Sequence, residues 1–298
     1  MALPFVKVQG LGNDFLVVDL RPGRPAALAG GPSPQDPEVV RQLCDRRFGV
    51  GGDGVLAILP STVADARMRV LNADGSEAEM CGNGIRCVAK VLYETDPALR
   101  RPNIRIETGA GVLACALDVK DGAVDTVAVE MGRPQLAREL IPLAPGGPER
   151  ALREAIASRD RTFRFTGVSM GNPHAVIFVD EPDTDLRTLA MSYGPALETA
   201  ERFPKRTNVE FARVRGGQQG REQREIDLWV WERGSGLTMA CGTGACATAV
   251  AAGLEERLAP GAETLVHLPG GTLGITVAKD YSGVVMRGPA RTVFHGTV

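Results

Sequence analysis

The sequence has little of what nucleic-acid or membrane binding requires. Its 34 basic and 36 acidic side chains leave a net charge of −2, which favours neither a nucleic-acid partner nor a membrane surface. No apolar run is long enough to span a bilayer, and the N-terminus lacks the basic and apolar segments of a signal peptide. We therefore expect a cytoplasmic protein whose six cysteines are reduced.

Histidine and lysine are also scarce, and this limits the cofactors that the chain could hold. There are three histidines, and the cysteine spacings Cys81 to Cys87 and Cys241 to Cys246 do not form a Cys-x-x-Cys knuckle. We expect no zinc site, although one metal held by sulfur from both halves stays open. None of the five lysines has the setting of a Schiff-base residue. The glycine-rich run at 49–54 precedes a predicted strand, which favours a turn over a dinucleotide site.

What the sequence does contain is an internal repeat. Cys81-Gly82-Asn83-Gly84 and Cys241-Gly242-Thr243-Gly244 begin 160 residues apart, and Gly109–Leu113 is related to Pro269–Leu273 by the same offset. Such an offset over most of the chain predicts a duplicated domain. Two equivalent cysteines brought to one cleft would offer a substrate two thiols from opposite sides, which suits proton exchange at a carbon centre.

The hydropathy pattern predicts an α+β fold of two pseudo-symmetric domains. Short apolar and alternating runs predict strands in both halves, and five segments predict helices: 36–47, 82–94, 149–159, 185–192 and 242–257. The last helix is apolar on all sides, so we expect a curled, barrel-like mixed or antiparallel sheet around it. We place the domains at 1–131, completed by 288–298, and at 132–287, with the active site in the cleft between them.

The position of each repeated cysteine suggests a chemistry. A thiol just before a helix meets unpaired backbone N–H groups and the positive end of the helix dipole, which favour a thiolate. The adjacent glycines let an anion such as a carboxylate approach the same N–H groups. The alternative is that both are buried structural thiols, the interpretation we give to Cys44, Cys87, Cys115 and Cys246.

Seven separated motifs resemble those of the diaminopimelate epimerase family. They are Gly10-Leu11-Gly12-Asn13-Asp14-Phe15, Asn72-Ala73-Asp74-Gly75-Ser76, Met80-Cys81-Gly82-Asn83-Gly84-Ile85-Arg86-Cys87, Gly171-Asn172-Pro173-His174, Arg206-Thr207-Asn208-Val209-Glu210-Phe211, Trp231-Glu232-Arg233-Gly234 and Ala240-Cys241-Gly242-Thr243-Gly244. Their order and spacing match from end to end, apart from two loops at 21–37 and 215–224 that we interpret as insertions.

The resemblance implies a homodimeric isomerase that interconverts LL- and meso-diaminopimelate in lysine and peptidoglycan precursor synthesis, without pyridoxal phosphate or any other cofactor. It implies that Cys81 and Cys241 are the two catalytic bases and that His174 and Glu232 tune their pKa values. The substrate-binding residues that it implies are Asn13, Asn72, Gly82, Asn83, Asn172, Asn208, Glu232, Arg233, Gly242 and Thr243. Gly54 stands where some relatives carry glutamine.

Two alternatives to this function stay open. The first is another member of the same superfamily, a proline-type racemase or a related isomerase, although such an enzyme needs no partner for a distal carboxylate, the role suited to Arg233. The second is a thiol redox or metal-binding protein in which Cys81 and Cys241 pair.

Overall fold

The computed structural model describes residues 3–28, 32–215 and 224–298. The chain forms two compact units, one comprising residues 1–130 and 287–298 and the other residues 131–286. The central parts of the two predicted insertions, residues 29–31 and 216–223, lie outside the described residues. Within these ranges, no helix combines the length and apolar character that a membrane span requires.

The described residues of the first unit form eight strands and three helices before the chain enters the second unit. The strands are β1 Pro4–Gly10, β2 Asn13–Asp19, β3 Gly54–Leu59, β4 Ala66–Asn72, β5 Glu77–Ala78, β6 Asn103–Thr108, β7 Gly111–Lys120 and β8 Ala123–Glu130. The helices are α1 Pro25–Leu28, α2 Pro37–Cys44 and α3 Gly82–Thr95. A short 3-10 helix, Pro97–Leu99, follows α3.

From β10 onward the second unit repeats this order of strands and central helix, with the single helix α4 in the place of α1 and α2. Its strands are β9 Glu154–Ser158, β10 Arg161–Ser169, β11 Pro173–Phe178, β12 Asn208–Val214, β13 Glu225–Glu232, β14 Gly236–Leu237, β15 Glu263–Leu268 and β16 Gly271–Val277, and its helices are α4 Leu186–Glu198 and α5 Gly242–Leu254. Strand β17, Val284–Pro289, leads back to the first unit, where β18, Arg291–Thr297, pairs with β1.

The strand pairings confirm the duplication. In the first unit β1–β2, β3–β4 and β6–β7 are antiparallel, whereas β2–β3 and β4–β6 are parallel. In the second unit β10–β11, β12–β13 and β15–β16 are antiparallel, whereas β11–β12 and β13–β15 are parallel. Strand β18 pairs antiparallel with β1, and strand β9 pairs antiparallel with β10 in the equivalent position of the second unit.

One helix lies inside the curled mixed sheet of each unit, as the apolar pattern predicted. Helix α3 packs against seven strands of the first unit, and α5 packs against β10, β11, β12, β15 and β16 of the second. Residues 82–92 of α3 are all buried, and ten residues of α5 are buried. Enclosure favours small or apolar side chains around the whole circumference of a helix. Helix α5 has them, whereas α3 also carries the buried charged residues Arg86 and Lys90.

The helix predicted at 149–159 is wrong. Residues Glu154–Ser158 form a strand, β9, that pairs with β10 through a two-residue turn at Arg159 and Asp160, where Arg159 has φ 54°. The local sequence favours a helix, but Ile156 joins a buried cluster that includes Phe163 and Phe165. This non-local burial overrides the local propensity. Strand β18 was not predicted, and α2 ends at Cys44 rather than at residue 47.

Candidate active site

Both repeated cysteines are the N-cap residues of the central helices. Cys81 precedes α3 with extended backbone angles, φ −136° and ψ 114°, and Cys241 precedes α5 with φ −113° and ψ 107°. Each sulfur accepts a hydrogen bond from the backbone N–H three residues later, Gly84 or Gly244, at 3.3 Å. Each thiol therefore lies against the backbone N–H groups at the start of a helix, an environment that favours a thiolate.

The glycines that donate these bonds leave room for the sulfur. A Cβ atom at Gly244 would lie 3.0 Å from Glu210 Oε1 and 3.2 Å from Cys241 Sγ, and one at Gly84 would lie 3.1 Å from a Leu56 methyl group. These distances are shorter than ordinary van der Waals contacts. A side chain at either position would therefore displace the groups around the thiol.

In the first unit, amide side chains surround Cys81. The Cys81 thiol lies 3.9 Å from Asn13 Oδ1, which also accepts a hydrogen bond from Asn83 Nδ2 at 3.3 Å. Asn13 Nδ2 donates to Asp53 Oδ2 at 2.6 Å, and Arg46 contacts Asp53 Oδ1 at 2.8 Å. The structure thus brings together Asn13, Cys81 and Asn83, three of the predicted site residues.

A buried arginine, Arg86, is hydrogen-bonded to this cluster. Arg86 has no exposed surface, although it is charged. Its guanidinium donates to Gly82 O at 3.0 Å, Asn83 Oδ1 at 2.9 Å and Pro289 O at 3.3 Å. Arg86 therefore fixes the orientation of the Asn83 amide. Arg86 belongs to one of the seven motifs, but the sequence did not predict this role.

In the second unit, a chain of hydrogen bonds leads to Cys241. Cys241 Sγ lies 3.5 Å from Thr243 Oγ1, which accepts from Asn172 Nδ2 at 3.3 Å. Asn172 Oδ1 lies 2.9 Å from His174 Nε2, and His174 Nδ1 lies 2.6 Å from Glu210 Oε1. The predicted residues Asn172, His174 and Thr243 are thus in one network. Its last member, Glu210, was not predicted.

The charge around Cys241 opposes a thiolate. Burial raises the pKa of the Cys241 thiol well above its usual value, and the nearby Glu232 and Glu210 carboxylates raise it further. Glu232 is partly buried. Desolvation raises the pKa of its carboxyl, whereas the Thr238 hydroxyl, which donates to Glu232 Oε1 at 2.6 Å, and the neighbouring Cys241 thiol lower it. These surroundings therefore favour the thiol form of Cys241 over the thiolate.

We expect Glu232→Gln to increase the reactivity of Cys241. Removing the Glu232 charge takes away a cause that raises the thiol pKa, so more thiolate forms at a given pH above neutrality. The rate of iodoacetamide alkylation of Cys241, followed by peptide mass spectrometry, should rise about 10-fold for one pKa unit. An unchanged rate would show that the Glu232 charge does not act on the sulfur.

Three of the predicted substrate-binding residues, Asn208, Arg233 and Asn72, are not among the groups that contact the two thiols. Asn208 is buried; its Nδ2 donates to Pro173 O at 2.8 Å, and its Oδ1 accepts from Arg233 N at 3.0 Å. The Arg233 side chain is exposed and donates to Lys205 O at 3.3 Å. Asn72 is also exposed and donates to Ser76 Oγ at 3.0 Å. None of these three side chains has a hydrogen bond to a cysteine sulfur among the contacts that the described residues show.

The surroundings of Gly54 and of the remaining cysteines are those of tightly packed structural residues. A Cβ atom at Gly54 would lie 2.4 Å from Leu71 O, so a glutamine here requires the backbone to shift. The other four cysteines are buried. Burial raises the pKa of the Cys87 and Cys115 thiols to about 12 and that of Cys44 to about 11. The described residues contain no cluster of three His, Cys, Asp or Glu side chains arranged to hold a metal.

The sequence matches one family over nearly its whole length. The family model described as diaminopimelate epimerase matches residues 5–137 and 166–293. A diaminopimelate epimerase from Desulfitobacterium hafniense is 47% identical over 99% of this chain and 98% of its own length. Those from Pelotomaculum thermopropionicum and Synechocystis are 47% and 45% identical, each over at least 97% of both chains.

Solved structures with the same fold are more distant in sequence. A hydroxyproline epimerase from Agrobacterium vitis has a TM-score of 0.63 at 18% identity and covers 100% of this chain and 91% of its own. A phenazine biosynthesis protein from Bacillus anthracis has a TM-score of 0.66 at 18% identity, covering 100% and 99%. These likenesses support the α+β fold, and the full-length sequence matches confirm the resemblance of the seven motifs. The chain therefore belongs to the diaminopimelate epimerase family.

Proposed function

We propose that this protein is a diaminopimelate epimerase that uses Cys81 and Cys241 as its two bases. It interconverts LL- and meso-diaminopimelate by proton exchange at an α-carbon. The observation that carries the proposal is the matched pair of thiols, each the N-cap of a buried helix and each bonded to a glycine N–H at 3.3 Å. The near full-length identity to enzymes of that name supports the choice of substrate.

The proposed reaction is a two-base proton exchange. One thiolate takes the α-proton, and the electron pair of the C–H bond stays on the substrate as a carbanion. The opposite thiol then donates its proton to the other face, so one C–H bond breaks and another forms with inversion. The surroundings of Cys241 favour its thiol form. In the direction in which the Cys241 thiol donates the proton, the Cys81 thiolate therefore removes the α-proton first. The cysteines exchange roles in reverse.

The helix ends would stabilise the carbanion. Backbone N–H groups at the start of α3 and α5, including those of Gly82 and Gly242, carry partial positive charge and bind the substrate α-carboxylate. Asn83 and Thr243 add side-chain hydrogen bonds. Donors fixed before the reaction stabilise the developing charge without reorganisation, and we assign this role to them in place of a cofactor.

The distal carboxylate of the substrate would be bound by the Arg233 side chain. The buried Asn208 side chain holds the Arg233 backbone N–H at 3.0 Å, which fixes the start of the loop that carries the exposed guanidinium. A guanidinium binds a carboxylate through two parallel hydrogen bonds. We therefore assign the distal carboxylate to Arg233, with Asn13, Asn72, Asn172 and Glu232 as further substrate contacts.

We expect Arg233→Met to weaken binding of diaminopimelate more than it slows the reaction. The change removes charge-assisted hydrogen bonds to the distal carboxylate, so KM should rise about 10- to 100-fold while kcat changes little. Steady-state kinetics measure both constants, and Arg67→Met, at a half-exposed position of β4, is the matched control. A normal KM for the Arg233 variant would remove this residue from the binding site.

Incubation with substrate in deuterated water tests the proposed function. The protein should convert LL- into meso-diaminopimelate, with deuterium from solvent at the inverted α-carbon, as measured by mass spectrometry and chiral chromatography. Proline and hydroxyproline serve as comparison substrates. Inversion of proline in place of diaminopimelate would favour a racemase of the wider superfamily. Loss of exchange on all substrates would favour the thiol redox or metal-binding alternative.

We further propose that the protein acts in the cytoplasm as a homodimer in lysine and peptidoglycan precursor synthesis. The name of its relatives supports the pathway. Light scattering of the purified protein measures its mass, and a homodimer predicts twice the 31.6 kDa of the chain.

A further inference from the structure

Two equivalent asparagines are oriented in opposite directions. Asn13 begins β2 in the first unit, and Asn172 directly precedes β11 in the second. Asp53 accepts from Asn13 Nδ2, so the oxygen of Asn13 faces the N-terminus of α3, where it accepts from Asn83. In the second unit the oxygen of Asn172 faces His174, and its NH2 group donates to Thr243 at the N-terminus of α5.

The direction of the Asn172 amide depends on a hydrogen atom on His174 Nε2. An amide oxygen accepts hydrogen bonds only, so Nε2 must be the donor of this 2.9 Å contact. The other ring nitrogen lies 2.6 Å from Glu210 Oε1, and neither side chain has exposed surface. Both an ion pair and a protonated Glu210 that donates to Nδ1 leave a hydrogen on Nε2. The remaining arrangement, a carboxylate beside neutral imidazole, buries a net charge and is the most costly.

The same direction continues to the sulfur. Thr243 Oγ1 accepts from Asn172 at 3.3 Å, and its own hydrogen is therefore available to Cys241 Sγ at 3.5 Å. A hydroxyl that donates to sulfur stabilises the thiolate. Cys241 needs such a donor when it acts as the base, because the Glu232 carboxylate faces it.

We propose that Glu210 is a positioning residue that, through His174 and Asn172, directs the Thr243 hydroxyl to donate to the Cys241 sulfur. The catalytic meaning of this inference rests on the proposed function. Glu210 Oε2 has no hydrogen-bond partner among the side chains that the structure describes. An unpaired buried oxygen lowers stability, so folding alone does not account for a glutamate in the strand segment Asn-Val-Glu-Phe-Ala.

Alkylation of Cys241 tests the proposal without substrate. In a Cys81→Ser background, iodoacetamide is added at one fixed alkaline pH, and modification of Cys241 is followed by peptide mass spectrometry. Glu210→Gln removes a carboxylate that raises the Cys241 pKa, a change that by itself would speed alkylation, but the variant also no longer fixes which ring nitrogen of His174 carries the hydrogen. We expect the rate to fall about 10-fold, which corresponds to one hydrogen bond to a charged atom. Thr243→Val, which removes the donor itself, should lower the rate at least as much.

The double variant Glu210→Gln/Thr243→Val distinguishes this chain of hydrogen bonds from a general structural effect. If Glu210 acts through Thr243, the double variant is no slower than Thr243→Val alone. Glu255→Gln, which changes another buried glutamate at the opposite end of α5, is the control and should leave the rate unchanged. An unchanged or faster rate in Glu210→Gln, or additive losses in the double variant, would overturn the proposal. These rates are independent of whether diaminopimelate is the substrate.

Discussion

Replacing either Cys81 or Cys241 with alanine is expected to lower the rate of epimerisation by about 100- to 10,000-fold, the contribution of a positioned general acid or base. The loss arises because inversion needs a proton acceptor on one face of the α-carbon and a donor on the other. Chiral chromatography of the products, together with deuterium incorporation from solvent, measures inversion and exchange separately. Both single variants should lose inversion in both directions.

The chain contains matched controls for these variants. Cys87 lies in α3 and Cys246 in α5, both without exposed surface, a few residues beyond the N-cap thiols. Cys87→Ala and Cys246→Ala remove a sulfur from the same helices without removing a proposed base, and each should retain epimerase activity near that of the unmodified protein. Wild-type inversion by Cys81→Ala or Cys241→Ala would refute the two-base mechanism.

Replacing Arg86 with methionine is expected to lower the free energy of unfolding by roughly 3 kcal/mol, within the range for breaking buried hydrogen-bonded groups. Methionine fills a similar volume but leaves Gly82 O, Asn83 Oδ1 and Pro289 O without this donor. These acceptors connect the first turn of α3 to the C-terminal segment. Urea unfolding followed by circular dichroism measures the change.

A half-exposed arginine gives the comparison for Arg86. The exposed Arg67 side chain lies 3.9 Å from Glu107 in a surface ion pair, so Arg67→Met should change the unfolding free energy by less than about 0.5 kcal/mol. A loss in the Arg86 variant as small as in the Arg67 variant would mean that water or neighbouring groups replace the guanidinium. Arg86→Met should also lower kcat, because the Asn83 side chain is no longer held in place by the guanidinium.

The central helices were predictable because their signal is local. The Cys-Gly-x-Gly motifs begin α3 and α5, and the uniformly apolar circumference of α5 indicated that the sheet surrounds it. The strand β9 was not predictable in the same way. Its residues favour a helix by themselves, and only packing of Ile156 with aromatic residues from elsewhere in the second unit makes the strand the stable form.

The role of Glu210 had a weak signal in the sequence. A single carboxylate between apolar residues of a predicted strand is a warning, since charged side chains are rarely buried without a partner. The sequence does not identify that partner, because His174 is 36 residues away. Pairing depends on β11 and β12 lying side by side in parallel, with His174 opposite Asn208.

The sequence by itself determined the duplication, the two helix-capping cysteines, the α+β class and the family, because each is recorded in short motifs or in their fixed offset. The tertiary structure alone decided which charges face each thiol and which way each asparagine amide points. Hydrogen-bond direction and burial depend on side chains that are distant in the chain, such as Asp53 beside Asn13 and Glu210 beside His174. Two copies of one motif therefore became chemically different sites.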